Sequence, residues 1–252
     1  KRKNHISYPV LAPNLKGLEG AIEISADTVC VFSTPSETFS KKNTNCSVSV
    51  ALDRAKIVTE EALNKGLKVR GYISTVITCP YENEVSPIEV AKLSENLVEM
   101  GCYEISLGDT IGSGTPMKTR KMISECKSAI GIERLAVHFH DTYGQALANI
   151  LASIEMGVNV IDTSVGGLGG CPYAPGARGN VATEDVLYML NGMGIKTGIK
   201  LEEIIEVSWY ISNYMKRLPN SRVARAYINK WEFIIMYDLK IKNAKIVDGT
   251  GL

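Results

Sequence analysis

Leu135-Ala136-Val137-His138-Phe139-His140-Asp141-Thr142 is the stretch on which the reading of the fold turns. It opens as an apolar strand and ends in polar groups. Side chains alternate along a strand, so His138 and His140 point one way and Phe139 the other. Two imidazoles on one face at a strand end make a natural pair for a metal or for catalysis. They would equally suit hydrogen-bonded residues of a core or a cleft mouth. They are two of only three histidines in 252 residues.

Working outward, further short β-branched runs fall at His5–Leu11, Thr28–Ser33, Lys68–Val76, Tyr103–Asp109 and Asn159–Val165, each followed by a helical pattern. Val90, Leu93, Leu97 and Met100 form one apolar helix stripe. Ser86-Pro87-Ile88-Glu89 supplies a cap, a first-turn proline and a capping-box glutamate, and Gly101 a stop; Thr115-Pro116 opens the next helix in the same way. Regular strand–helix alternation predicts parallel strands covered by helices. Six units would suit an open doubly wound sheet, whereas a closed barrel needs eight. Asp109, His138, His140 and the glycines after Val165 nevertheless all fall at the C-terminal ends of their strands, and a barrel gathers such ends around one mouth. The expected class is therefore α/β, an incomplete (β/α)8 TIM barrel over residues 1–225. A divergent tail follows at 226–252, where Trp231–Lys242 is a mixed apolar and basic run.

Lys plus Arg total 28 and Asp plus Glu 27, which leaves no electrostatic footprint for nucleic acid or a membrane surface. No apolar run approaches the roughly 20 residues that cross a bilayer. The six cysteines contain no CxxC pair, which argues against structural zinc and for reduced thiols inside the cell.

The remaining candidates for chemistry are few. Asp109 ends its strand, where a carboxylate can bind a metal, orient a base, hold substrate or cap the following turn. Gly166–Asn180 is a glycine-rich stretch that is neither GxGxxG before a helix nor a P-loop. Its glycines, Gly169 and Gly170 among them, let backbone approach a substrate. Cys171 within it could act as a thiol acid or base, or be incidental. Asn180 offers a hard carbonyl oxygen for Mg²⁺ or Mn²⁺, or a cap for a helix starting near Ala182. Arg70 and Tyr72, two apart on one strand, suggest a wet substrate-binding mouth or plain strand amphipathicity.

Together these segments resemble the 3-hydroxy-3-methylglutaryl-CoA lyases. The resemblance runs from about residue 7 to about residue 225. It is carried by Tyr8–Gly17, Lys41–Cys46, Val69–Tyr72, Cys79–Glu82, Gly101–Thr110, His138–Asn149 and the Gly166–Asp185 stretch. The HxHDT motif is shared with related aldol-type enzymes. Gly169-Gly170-Cys171-Pro172-Tyr173-Ala174 with Gly179-Asn180 is more specific to the lyases. The resemblance implies a TIM barrel that binds one divalent cation, Mg²⁺ or Mn²⁺, through His138, His140 and Asn180. It also implies a mobile-loop thiol at Cys171 and a helper carboxylate at Asp109. The implied substrate is an acyl-CoA, cleaved to acetyl-CoA and acetoacetate in ketone-body formation and leucine breakdown. The mitochondrial matrix is the family's usual home, with cytoplasm or peroxisome as alternatives, and the resemblance leaves room for a homodimer.

Two departures accompany it. The family's first strand carries an arginine and a metal-binding aspartate, and nothing in Lys1–Ser7 supplies either. The first two strand–helix units are expected to be missing, no targeting segment is present, and Gly249-Thr250-Gly251-Leu252 is not a peroxisomal signal. A fragment or alternative transcript would explain both ends. The rival readings are an aldol-type acyl-CoA synthase on the same barrel and an inactive truncated product.

Overall fold

The computed structural model describes residues 6–170 and 179–227, so most of the expected tail lies outside the described residues. The chain runs β1 (Val10–Leu11), α1 (Leu15–Glu23), β2 (Thr28–Ser33), α2 (Glu37–Thr44), α3 (Val48–Asn64) and β3 (Lys68–Ile73). A small antiparallel pair, β4 (Thr78–Cys79) and β5 (Asn83–Glu84), precedes α4 (Pro87–Glu99). Then come β6 (Glu104–Asp109), α5 (Pro116–Ile130), β7 (Leu135–Phe139), α6 (Ala146–Glu155), β8 (Val160–Asp162), α7 (Thr183–Gly192), α8 (Leu201–Tyr214) and α9 (Arg222–Ala226).

The main sheet has the order β1-β2-β3-β6-β7-β8, every neighbouring pair parallel. The described residues thus build an incomplete barrel of six strands, with β1 and β8 at its edges. Alternation divides each strand between two faces. Val29, Val31, Val69, Ile73, Ile105, Leu107, Leu135, Val137 and Phe139 are buried against the helices. There they meet Val58 and Ala62 of α3, Val90, Leu93 and Leu97 of α4, Met122 and Ile123 of α5 and Ile150 of α6. Each large side chain so buried stabilises the layer by about 1.5–3 kcal/mol relative to exposure. Gly71 belongs to this face: a Cβ there would lie 2.8 Å from Ile105 Cδ1. The other, inner face carries Cys30, Phe32, Arg70, Tyr72, Ser106, His138 and Asp162. Beside it opens a cavity of about 640 Å³ lined by Pro9, Leu11, Cys30, Phe32, Asn43, Tyr72 and Ser74.

Several local expectations are corrected. The first strand shrinks from His5–Leu11 to Val10–Leu11, and the last from Asn159–Val165 to Val160–Asp162. Val165–Gly167 turns instead, with Gly166 and Gly167 at φ 66° and 61°, where β-branched continuation is blocked. Ser86 and Thr115 start their helices without a side-chain cap bond, so the predicted capping box is not made and the following prolines set the entry. Side-chain caps occur elsewhere: Asn14 accepts from Gly17 N, Ser36 from Phe39 N and Ser47 from Val50 N. Among the described residues no helix is long and apolar enough to cross a membrane, and Cys30, Cys46, Cys79, Cys102 and Cys126 are free thiols.

Candidate active site

His138 is the last inward residue of β7, and His140 follows just past the strand end. Their ring centroids lie 5.6 Å apart, so both rings occupy one side as the alternation predicts. His140 is drawn into an antiparallel bridge with Asn180. Val181 N donates to Phe139 O (3.2 Å) and Asp141 N to Gly179 O (2.7 Å), so residues 179–181 extend the end of β7. On the other side Ser164 N donates to Val181 O and Thr183 N to Ser164 O, tying the same residues to the chain beyond β8. Directly opposed residues in a bridge share a face. Asn180 therefore stands beside His140. It does not cap α7, whose N-cap is Ala182 with no side-chain bond. Its Nδ2 donates instead to Leu168 O at 2.9 Å, which fixes the orientation of the carboxamide.

His140 is buried, and its Nδ1 has no hydrogen-bond partner among the described residues. Burial, then the neighbouring His138, push its pKa down to about 4, so the ring is neutral at pH 7 with a lone pair to offer.

Below the histidines lies a polar network that sequence reading located only at Arg70 and Tyr72. Arg70 Nε donates to Glu104 Oε1 at 2.6 Å and Nη1 to Asp162 Oδ2 at 3.0 Å, while Nη1 also meets the Tyr72 hydroxyl. Ser106 Oγ donates to Asp162 Oδ2 at 2.7 Å, and His138 Nδ1 lies 3.6 Å from that same oxygen. Tyr72 packs edge-on to the His138 ring, 6.1 Å between centroids. Burial favours the neutral acid at Asp162. The nearby His138, the Arg70 hydrogen bond and charge, and Ser106 outweigh it and hold the pKa down at about 2. Glu104, Ser106 and Asp162 were missed. The signal was available: Glu104 and Ser106 alternate with Ile105 and Leu107, and Asp162 is the one carboxylate in its short strand.

Asp109 goes elsewhere. It falls on the helix side of β6, fully buried, and its carboxylate accepts from Ser113 N (3.3 Å) and Gly114 N (2.8 Å). Burial raises its pKa to about 6 against the pull of the Gly114, Ser113 and Gly112 amides. It binds the turn after its strand, and alternation sets it on the opposite face from His138.

Gly169 and Gly170 lie at the entry to the glycine-rich stretch, and Gly179 at its exit. A Cβ on Gly179 would fall 2.2 Å from Gly169 O, so the two ends touch. Cys171 lies outside the described residues. Burial raises the thiols of Cys30, Cys102 and Cys126 to about 11, 12 and 12, which keeps them protonated and inert at neutral pH.

The HMGL-like family matches residues 1–211. The chain belongs to this family. It is 52% identical over 221 residues to the mitochondrial hydroxymethylglutaryl-CoA lyase of Gallus gallus, covering 88% of this chain and 74% of that one. A relative named cytoplasmic 3-hydroxy-3-methylglutaryl-CoA lyase, from Danio rerio, is 50% identical over 229 residues, 91% of this chain and 68% of that one. Among solved structures, the hydroxymethylglutaryl-CoA lyase of Pseudomonas aeruginosa superposes with a TM-score of 0.89 at 50% identity. It covers 92% of this chain and 77% of that one. A lyase from Acenitobacter baumannii in complex with coenzyme A and 3-methylmalate matches at TM-score 0.85 and 33% identity, over 96% and 77%. The HMGL-like likeness and the superposition agree with the barrel read from the strand ends. Relatives named mitochondrial and cytoplasmic match at nearly equal identity, so the likeness carries no compartment.

Proposed function

We propose that this HMGL-like chain carries the catalytic face of a lyase that cleaves 3-hydroxy-3-methylglutaryl-CoA to acetyl-CoA and acetoacetate. The observation that carries the reading is His138 and His140 on the inner face, with Asn180 brought beside them by the bridge to His140. Identity of 50–52% to proteins named as lyases favours it over a synthase on the same barrel.

The donors fit a divalent cation. His140 is neutral and has a buried, unpartnered nitrogen; Asn180 adds a hard amide oxygen; His138 stands beside both. Among the described residues no three His, Cys, Asp or Glu side chains converge on one point, so these supply part of a coordination shell. We assign His138, His140 and Asn180 to hold Mg²⁺ or Mn²⁺. When bound, such a cation would polarise the substrate's hydroxyl and carboxylate oxygens.

In turnover, His138 takes the proton of the C3 hydroxyl. The C2–C3 bond breaks, its electron pair passes into the thioester carbonyl as an enolate, and the C3 oxygen becomes the ketone of acetoacetate. Cys171, by its place in the motif, donates the proton that turns the enolate into acetyl-CoA. Gly169 and Gly170 present backbone to the acyl-CoA, and Tyr72 borders the cavity, whose volume falls in the usual range for small-molecule sites. Arg70 acts through Asp162 and Glu104. Asp109 holds the turn at Ser113–Gly114 beside the strand end that leads to His140.

The test is release of acetoacetate from 3-hydroxy-3-methylglutaryl-CoA, with Mg²⁺, by the gene product that carries these residues in full. Equal release of acetyl-CoA, and loss of both on His140→Ala, is the expected result. A protein without turnover on this thioester, or one indifferent to that change, overturns the assignment.

A further inference from the structure

His138 and Asp162 are direct register partners across β7 and β8, and both project from the inner face. We infer that Asp162 is the positioning residue of His138: its carboxylate accepts from Nδ1–H, fixing the tautomer that turns the Nε2 lone pair toward the mouth. The inference rests on the lyase reading for its purpose, but its geometry stands in the protein without metal or substrate.

Three features carry it. Asp162 Oδ2 is the atom facing His138 Nδ1, at 3.6 Å. Such contacts are often long in an empty site and shorten when the site is assembled. Second, Asp162 is itself held from two sides, by Arg70 Nη1 at 3.0 Å and Ser106 Oγ at 2.7 Å, both directed to Oδ2. A carboxylate oxygen that already takes two donors presents acceptor lone pairs to the imidazole nitrogen opposite it, which favours hydrogen on that nitrogen. Third, the Tyr72 edge against the ring limits its rotation, and Tyr72 is tied in turn to Arg70. Metal-binding and proton-transferring histidines commonly owe their orientation to a carboxylate on the far nitrogen. Here that carboxylate comes from the neighbouring strand, and its own orientation comes from a third strand through Arg70.

The experiment is long-range ¹H–¹⁵N correlation on the histidine-labelled protein at pH 8.5, free of metal and substrate. Three histidines make the spectrum assignable with His5→Gln and His140→Gln. His138 is expected as the Nδ1–H tautomer in the wild type. Asp162→Asn is expected to move it toward Nε2–H or a mixture and to weaken Mn²⁺ binding, read by electron paramagnetic resonance, about tenfold or more. A wild-type His138 in the Nε2–H form overturns the inference with no variant needed, so a misfolded Asp162→Asn leaves it falsifiable. A folded Asp162→Asn with unchanged tautomer also overturns it. Failure of the wild type to cleave the thioester would sink the lyase reading and leave the tautomer result standing.

Discussion

The His140 amide donates to the Asp109 carbonyl at 3.3 Å, yet the Asp109 side chain belongs to the opposite layer. One residue thus joins the sheet through its backbone on the site side and clamps the β6–α5 turn through its carboxylate on the helix side. A carboxylate at a strand end is open to both duties when read alone. The choice follows from counting alternation back from Ile105 and Leu107, which face the helices and are fully buried.

This placement makes Asp109 a pH-dependent liability. Its ordinary value of 3.8 rises to about 6 in the fold because burial disfavours the charge. Between those values the folded state holds a proton that the unfolded chain has released. The stabilisation is complete below 3.8 and lost as pH rises through 6, on the order of 3 kcal/mol in all. Asp109→Asn removes the titration. Urea unfolding from pH 4 to pH 7.5 should show the wild type losing stability relative to the variant; parallel curves would mean that Asp109 is already ionised in the fold at pH 4.

Gly169 tests the link between the glycine-rich stretch and Asn180. Its φ of 97° favours glycine, and an added Cβ would fall 2.6 Å from Asn180 Nδ2, the atom bonded to Leu168 O. Gly169→Ala must strain the backbone by about 1–3 kcal/mol or displace the carboxamide. Mn²⁺ affinity should fall tenfold or more. Gly170→Ala meets no atom of the described residues within 4 Å and should leave the melting temperature where it was. Equal affinity in wild type and Gly169→Ala would remove Asn180 from the cation's shell.

The fold was legible because it depends on periodicity. Strand–helix alternation and the polar strand ends identify the barrel, and all six strand candidates occur. Strand lengths were less legible because backbone pairing sets them: Asn159–Val165 reads as one strand, but pairing stops at Asp162 and the left-handed Gly166 and Gly167 turn the chain away. The histidine pair was legible because two positions on one strand face need no tertiary information. Asn180 was legible through its motif, but its bridge to His140 was not, since 39 residues separate positions 140 and 180. The Asp162 network was hidden for the same reason. Its members sit on β3, β6, β7 and β8, and only strand register brings them together.

Cys171 gives a prediction that comes from its motif. If its thiol protonates the enolate, Cys171→Ala should lower kcat by about 10²-fold or more, the scale of a positioned acid, with little change in KM. Cys171→Ser should recover little, because a hydroxyl is a far weaker acid. A kcat within twofold of wild type in steady-state acetoacetate release would transfer the proton donation to another group.

Arg70 carries the heaviest structural consequence in the site. It is 6% exposed and serves two carboxylates at once, Glu104 through Nε and Asp162 through Nη1. Arg70→Met leaves two half-buried acids without their cation; breaking a fully buried pair from one side costs about 3–5 kcal/mol, and a smaller loss is expected where water still reaches the acids. Arg70→Lys should rescue little, because one ammonium cannot reproduce a fork that meets two acceptors. The acid limb separates this from lost packing. Asp162, held down at about 2 from 3.8, contributes stability that is present above 3.8 and lost as pH falls toward 2. In Arg70→Met the folded-state value should rise, so the wild type should lose its advantage over the variant between pH 4 and pH 2. Chemical denaturation at pH 7, 4, 3 and 2 reads both effects. A variant with wild-type stability at pH 7 would show that the ion pairs are neutral to the fold, and a gap unchanged down to pH 2 would trace the loss to packing.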